Sequence, residues 1–86
     1  MTAKQFGIED LKRILREGAG EGADLDGDIL DVPFEDLGYE SLALLETGSR
    51  ISREFGVELE ETEMTDVDTP RALIDVVNAQ LLAARA

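Results

Sequence analysis

Ser41 is the residue of this chain best placed for covalent chemistry, and it lies within the pentapeptide Gly38-Tyr39-Glu40-Ser41-Leu42. Apolar residues follow it at helical spacing as far as Phe55, and Gly38 permits a sharp turn before them. We therefore expect a helix to begin at Ser41 and to hold the serine hydroxyl towards solvent. Because a helix N-terminus carries free N–H groups and partial positive charge, it favours a phosphate ester at that position.

A second interpretation of Ser41 is purely structural. Serine is a preferred N-cap residue, because its oxygen accepts a hydrogen bond from an N–H of the first helical turn. The residue three positions later is Leu44 rather than Glu or Gln, so the reciprocal capping box is absent. The pentapeptide alone does not decide between a cap and a modified serine.

A run of carboxylates resembles a metal site. The segment Asp24–Asp28 contains three alternating aspartates, and Glu35 follows at the twelfth position, as in the calcium loop of an EF-hand. The sixth position of that loop requires Gly for its sharp turn, but here it is Ile29, and Pro33 also interrupts the loop. We therefore expect weak divalent binding by clustered carboxylates and no dedicated metal site.

The composition limits the chemistry that the chain performs by itself. Among its 86 residues there is no histidine and no cysteine, so the usual general base and the thiol nucleophile are missing. We therefore expect no catalytic residues and no enzymatic activity. One small domain covering residues 1–86 is expected from this length.

The charge predicts the kind of partner. Twenty acidic residues against eight basic ones give a formal net charge of −12, which repels nucleic acid and anionic membranes and favours basic protein surfaces. The sequence contains no apolar run of membrane-spanning length and no apolar targeting segment at its start. We expect a monomer in the cytoplasm that binds neither nucleic acid nor membrane.

Hydrophobic periodicity predicts an all-α fold, a small four-helix bundle with a long first loop. Thr69 is a good N-cap and Pro70 a good first helical residue, so the last helix should begin there. The loop before Glu40 should be pinned by Leu25, Ile29, Leu30, Val32 and Phe34. Three main helices and one short one are expected, at Ile8–Gly18, Ser41–Phe55, Pro70–Ala84 and, shortest, Glu61–Thr65.

The second helix is expected to offer a docking surface. Its core stripe, predicted as Leu44, Thr47 or Gly48, Ile51 and Phe55, leaves Leu42 and Leu45 partly exposed. Apolar residues rimmed by acids such as Glu40 and Glu46 are typical of a transient interface. The alternative is a solvated charged face, on which Glu40 only stabilises the helix N-terminus.

Two polar residues of the last helix have two interpretations. Asn78 borders the apolar stripe of Ile74 and Leu81, and Arg71 lies in the first turn. They are either edge and surface residues or polar contacts at the interior of the bundle.

The stretch Leu37-Gly38-Tyr39-Glu40-Ser41-Leu42-Ala43-Leu44-Leu45-Glu46 resembles the acyl carrier proteins of type II (aromatic) polyketide synthases. The segment Asp68-Thr69-Pro70-Arg71-Ala72-Leu73 and Asn78 are similar to the same branch, and the resemblance covers nearly the whole chain. It implies an acyl-carrier-like bundle in which Ser41 bears a phosphopantetheine arm taken from coenzyme A. Glu40 stands where the family normally has Asp.

The resemblance also implies partners and intermediates. The arm would hold malonyl and growing polyketide groups as thioesters, with Arg71 and Asn78 meeting the oxygen-rich chain inside the bundle. The implied partners are a phosphopantetheinyl transferase, a ketosynthase/chain-length factor, a malonyl transferase, a ketoreductase and cyclases. They would dock on Glu40, Leu42, Leu45 and Glu46.

Other functions remain as alternatives at this point. Carriers for fatty acid synthesis usually have a more acidic second helix, whereas this one contains Arg50 and Arg53. Carriers for peptide synthesis are typically less acidic and differ before the serine. An acidic interaction protein or a calcium-binding protein would belong to a different class.

Overall fold

The computed structural model describes residues 5–19, 25 and 27–85, and within these ranges it contains helices and no strand. The helices are α1 (Ile8–Ala19), α2 (Ser41–Phe55), α3 (Glu61–Thr65) and α4 (Pro70–Arg85). The bounds of α2 and α3 are those predicted, while α1 and α4 each end one residue later than expected. None of the helices described is both long enough and apolar enough to cross a membrane.

The core lies where α1 meets α2 and α4, and α3 packs against α2. The predicted stripe of α2 is confirmed in the main, although Phe55 is only half-buried, as are Ile74 and Leu81 of the α4 stripe. Thr47 is buried, and its hydroxyl donates to the carbonyl oxygen of Ala43 at 2.9 Å, so it is satisfied within α2. The buried apolar residues of the three long helices are Leu11, Ile14, Leu15, Leu44, Ile51, Leu73 and Val77.

The first loop is held along the start of α4 by two backbone hydrogen bonds. The N–H of Phe34 donates to the carbonyl oxygen of Asp68 at 2.8 Å, and the N–H of Arg71 donates to that of Leu30 at 2.9 Å. Of the residues predicted to pack the loop against the helices, Leu25, Ile29 and Phe34 are buried, whereas Leu30 and Val32 are half-buried. These contacts fix the part of the loop that leads into α2.

Thr69 caps α4 as predicted. Its hydroxyl oxygen accepts a hydrogen bond from the N–H of Ala72 at 3.2 Å, and Pro70 is the first helical residue. The short α3 carries a capping box that the sequence analysis missed, in which the side chains of Glu60 and Glu63 each accept from the other's backbone N–H. The amide of Gln80 on α4 also donates to Glu63 at 3.2 Å, which ties α3 to the bundle.

Phe6 and Asn78 join the start of the chain to α4. Phe6 is only 1% exposed, and its ring meets that of Phe55 edge-on with centroids 5.0 Å apart. Its N–H donates to Oδ1 of Asn78 at 2.8 Å, and Nδ2 of Asn78 donates to its carbonyl oxygen at 2.9 Å. Asn78 therefore acts as a clamp on the backbone of Phe6.

We predict that Asn78→Ala lowers the free energy of unfolding by about 1–3 kcal/mol, because the N–H and carbonyl of Phe6 lose their partners in a partly buried position. Urea unfolding followed by circular dichroism measures this loss. Gln80→Ala is the matched control, since it removes an amide of the same helix that makes one hydrogen bond to a side chain, that of Glu63, and none to the backbone of Phe6. A loss for Asn78→Ala no larger than that of the control would contradict the clamp.

Candidate functional site

The chain turns into α2 through residues 33–39. The N–H of Tyr39 donates to the carbonyl oxygen of Phe34 at 2.9 Å, and that of Gly38 to Glu35 at 3.1 Å. Gly38 has a φ of +90°, a left-handed backbone conformation that residues with a Cβ rarely adopt. The predicted sharp entry turn is confirmed, and it brings the chain to α2 with Ser41 as the first helical residue.

Ser41 is exposed, and the N-cap position belongs to Glu40 instead. Glu40 has extended backbone angles (φ −94°, ψ 172°), and its carbonyl oxygen accepts from the N–H of Leu44 at 3.0 Å. Its carboxylate makes no capping hydrogen bond. The N–H groups of the first turn therefore receive no capping side chain, and the interpretation of Ser41 as a cap is wrong.

A groove of about 860 Å³ adjoins Ser41, in the size range of small-molecule sites. The entry turn, the first turns of α2, α3 and the segment that follows α3 surround it. Its exposed acids are Glu35, Glu40, Glu61 and Asp68. The apolar and aromatic residues that line it are Pro33, Phe34, Tyr39, Leu44, Leu45, Met64 and Val67. The lining of the groove is thus about equally polar and apolar, and four carboxylates contribute to it.

Gly48 allows α3 to lie close to α2. A Cβ at Gly48 would come within 3.0 Å of Sδ and 3.1 Å of Cε of Met64, which is tighter than ordinary contact. Met64 is buried there and also lines the groove. A side chain at Gly48, which the sequence predicted only as a possible core position, would therefore require the end of the Met64 side chain to shift.

Tyr39 is a groove residue to which the sequence analysis gave no function. It is 6% exposed, and its ring meets that of Phe34 edge-on at a centroid distance of 6.2 Å. Its buried hydroxyl makes no hydrogen bond to any residue that the structure describes. Burial raises the pKa of Tyr39 above its ordinary value, and the nearby positive charge of Arg16 partly opposes this.

The predicted docking residues occupy two faces of α2. Leu42 is 68% exposed, and Glu46, four residues later, is exposed on the same face. Leu45 is half-buried, packs against the core and lines the groove with Glu40 and Ser41. Leu42 is therefore the more open of the two leucines.

Arg71 and Asn78 do not line the groove. The guanidinium of Arg71 is exposed and donates to both carboxylate oxygens of Asp31, at 2.7 and 3.1 Å. This hydrogen bond lowers the pKa of Asp31 below its ordinary value. Asn78 is occupied by Phe6. The contact of Arg71 and Asn78 with bound intermediates stays a prediction.

The carboxylate run of the first loop is only partly described. Asp24 and Asp26 lie outside the described residues, while Asp28 accepts from the N–H of Leu30 at 3.2 Å and Glu35 is exposed. Within the described ranges, no group of three or more His, Cys, Asp or Glu residues is placed to hold a metal ion.

Comparisons with known proteins agree on one family. The family described as "Phosphopantetheine attachment site" matches residues 9–77. The monensin polyketide synthase acyl carrier protein of Streptomyces virginiae is 56% identical over 99% of this chain and 98% of its own length. Two solved structures of the actinorhodin acyl carrier protein of Streptomyces coelicolor each cover 96% of this chain and 99% of their own. The 3,7-dioxo-octyl form has a TM-score of 0.90 at 46% identity, and the holo form 0.85 at 47%.

The family match spans most of the chain, and the likeness to the relatives extends over nearly all of both sequences. The helix order and the exposed serine at the start of α2 agree with it. The chain belongs to the phosphopantetheine attachment site family and, within it, to the acyl carrier proteins of type II polyketide synthases.

Proposed function

We propose that Ser41 bears the phosphopantetheine arm of this carrier, and that the arm holds malonyl and growing polyketide groups during polyketide synthesis. The observation that carries the proposal is the exposed serine at the first position of α2, beside the groove. The other two serines, Ser49 and Ser52, lie in later turns of the same helix. What supports the polyketide branch over fatty acid or peptide synthesis is the identity to polyketide carriers.

The residues around Ser41 fit a phosphate-linked group. The first-turn N–H groups of α2 have no capping side chain, and with the helix dipole they favour an anionic ester on the serine oxygen. When bound, the arm supplies a thiol, which this chain does not provide because it has no cysteine. Ser41 needs no activating base of its own, since a separate phosphopantetheinyl transferase would catalyse the attachment from coenzyme A with Mg²⁺.

Partner enzymes would dock on α2 in the cytoplasm. Leu42 supplies the open apolar contact, Glu46 and Glu40 supply negative charge, and Leu45 contributes its accessible part at the groove. The transferase, ketosynthase/chain-length factor, malonyl transferase, ketoreductase and cyclases would each present basic residues to this surface. Opposite charges speed encounter, and a small interface allows the release that a shuttling carrier requires.

Intact-mass measurement tests the attachment site. With coenzyme A, Mg²⁺ and a phosphopantetheinyl transferase, the wild-type chain should gain one phosphopantetheinyl group and Ser41→Ala should gain none. Ser49→Ala is the matched control, since it removes an exposed hydroxyl of the same helix. If Ser41→Ala still gained the phosphopantetheinyl group, or if Ser49→Ala failed to gain it, the arm would be attached at a residue other than Ser41. Because Ser41 does not cap α2, Ser41→Ala should keep its stability within about 0.5 kcal/mol.

A pair of charge reversals tests the docking surface. We expect Glu46→Lys to slow acyl transfer with a basic partner by about three- to tenfold at low salt, with a weaker dependence on salt. Glu58→Lys makes the same change in net charge at an exposed position outside α2 and should have little effect. Equal slowing by both variants would indicate a general charge effect and would count against a docking role for Glu46.

A pair of leucine truncations tests the apolar contact. Leu42→Ala should weaken partner binding without lowering stability, while Leu82→Ala, at 67% exposure on α4, should leave binding unchanged. Titration against a partner enzyme and thermal melting separate the two quantities. If Leu42→Ala unfolded, or if it bound the partner as tightly as wild type, Leu42 would not be part of the docking surface.

Substitution of Glu40 separates its docking role from helix capping. Asp is a good N-cap, so Glu40→Asp should cap α2 and raise the free energy of unfolding by about 0.5–1 kcal/mol. Glu40→Gln should leave the free energy of unfolding unchanged, because the Gln side chain is as long as that of Glu40, which does not cap the helix. If the charge docks the transferase, Glu40→Asp keeps the modification rate and Glu40→Gln lowers it. The capping argument fails if urea unfolding finds the Asp variant no more stable than the Gln variant.

A further inference from the structure

Arg50 and Arg53 are exposed cations on α2 of a chain whose formal net charge is −12. Arg13 of α1, by contrast, is paired with Glu54. Neither Arg50 nor Arg53 forms an ion pair with any residue that the structure describes, although Glu46 and Glu54 each lie four positions from Arg50. An acid-rich chain thus presents two positive charges to the outside of the second helix.

The two arginines extend the outward face of α2 on which Leu42 and Glu46 lie. At about 100° per residue, Leu42, Glu46, Arg50 and Arg53 fall within about 80° of one another around the helix axis. At about 1.5 Å per residue, Glu46 precedes Arg50 by about 6 Å and Arg53 by about 10 Å. All four residues are exposed, and we call them the outer stripe. The outer stripe is apolar and acidic at the end near Ser41 and basic at the other end.

Helix electrostatics explain Arg53 more fully than Arg50. Arg53 lies in the last turn of α2, where a cation offsets the partial negative charge of the helix end, and Arg50 lies before that turn. Nε of Arg50 is 3.6 Å from the position that a Cβ would take at Gly18, so the arginine rests against the end of α1. This contact limits the motion of the side chain while the residue stays exposed, which reduces the entropy that it would lose on binding a partner.

A uniformly basic partner surface does not match the outer stripe. Such a surface is attracted by Glu46 but repelled by Arg50 and Arg53, and like charges that face each other in an interface lower the affinity. A surface that places carboxylates opposite the arginines is attracted at both ends of the stripe. Opposite charges at two separate points also fix the direction in which α2 lies on the partner, whereas charge of a single sign does not.

We propose that the outer stripe docks an enzyme whose surface carries basic residues opposite Glu46 and carboxylates opposite Arg50 and Arg53. This charge pattern sets the direction in which the carrier presents Ser41. The inference rests on the proposed docking function of α2 and adds the charge pattern of the partner. The ketosynthase/chain-length factor is the partner to which we assign this pattern.

Charge reversal of the arginines distinguishes the two kinds of partner surface. The probe is the ketosynthase/chain-length factor encoded in the same genome as this chain, titrated with the phosphopantetheine-loaded carrier at low salt. Arg50→Glu should raise the Kd about three- to tenfold, and Arg53→Glu should raise it as well. A uniformly basic partner would instead bind both variants more tightly, because their net charge is more negative. Arg85→Glu makes the same change in net charge at the last residue of α4 and should change the Kd by less than about twofold.

An exchange of charges within the outer stripe tests its direction at constant net charge. The double variant Glu46→Arg with Arg50→Glu keeps the formal net charge but reverses the order of the charges along α2. It should raise the Kd by about tenfold or more. Urea unfolding checks that each variant folds. Arg50→Gln, which adds no negative charge beside Glu46 and Glu54, should still raise the Kd by about twofold and replaces Arg50→Glu if that variant unfolds.

The possible results separate this inference from the proposed function. If the wild-type carrier is not loaded at Ser41, or if it does not bind the enzyme, the proposed function fails and this inference fails with it. If the wild type binds but Arg50→Glu binds as tightly or more tightly, only the charge pattern of the partner is overturned. Equal binding by the double variant and the wild type, or equal weakening by Arg50→Glu and Arg85→Glu, would also overturn it, because net charge alone would then govern docking.

Discussion

The backbone bonds between the first loop and the start of α4 are the constraint on which the site depends. They join Phe34 to Asp68 and Arg71 to Leu30, and so hold a long, acidic connection that has no helix of its own in its described part. Phe34 in turn anchors Tyr39, through its ring and through its carbonyl oxygen. Because α2 begins two residues after Tyr39, the place of Ser41 and one wall of the groove follow from these bonds.

The helices could be predicted because their information is local. Apolar spacing marks each buried face, and Thr69 with Pro70 marks the start of α4. The clamp between Phe6 and Asn78 could not be predicted from local patterns, because the two residues are 72 positions apart and Phe6 takes part through its backbone. Tyr39 stood in the motif that identified Ser41, but the burial of its hydroxyl without a partner among the described residues depends on tertiary packing. Sequence patterns indicate which residues are buried, but they do not indicate which buried polar groups lack a hydrogen bond.

The exposure of the two leucines Leu42 and Leu45 of α2 depends on tertiary contacts that the sequence does not show. Both Leu42 and Leu45 fall outside the core stripe, which predicted similar exposure for the two. In the folded chain Leu45 packs against the core and lines the groove between α2 and α3, so Leu45 is half-buried while Leu42 stays open. The apolar part of any transient contact on α2 is therefore concentrated on one side chain, which suits a weak interface.

The first turn and a half of α2 faces two ways at once. Ser41 and Leu45 are four residues apart and line the groove, whereas Leu42 and Glu46 are offset by one residue and face outwards. One residue of helix corresponds to a rotation of about 100°, so a partner that contacts the outer pair leaves the groove side uncovered. The helix itself thus separates the outer surface proposed for partner contact from the groove beside Ser41. Of the proposed docking residues, Glu40 and Leu45 lie on the groove side, so a partner held only by Leu42 and Glu46 would leave the groove beside Ser41 open to the tethered arm.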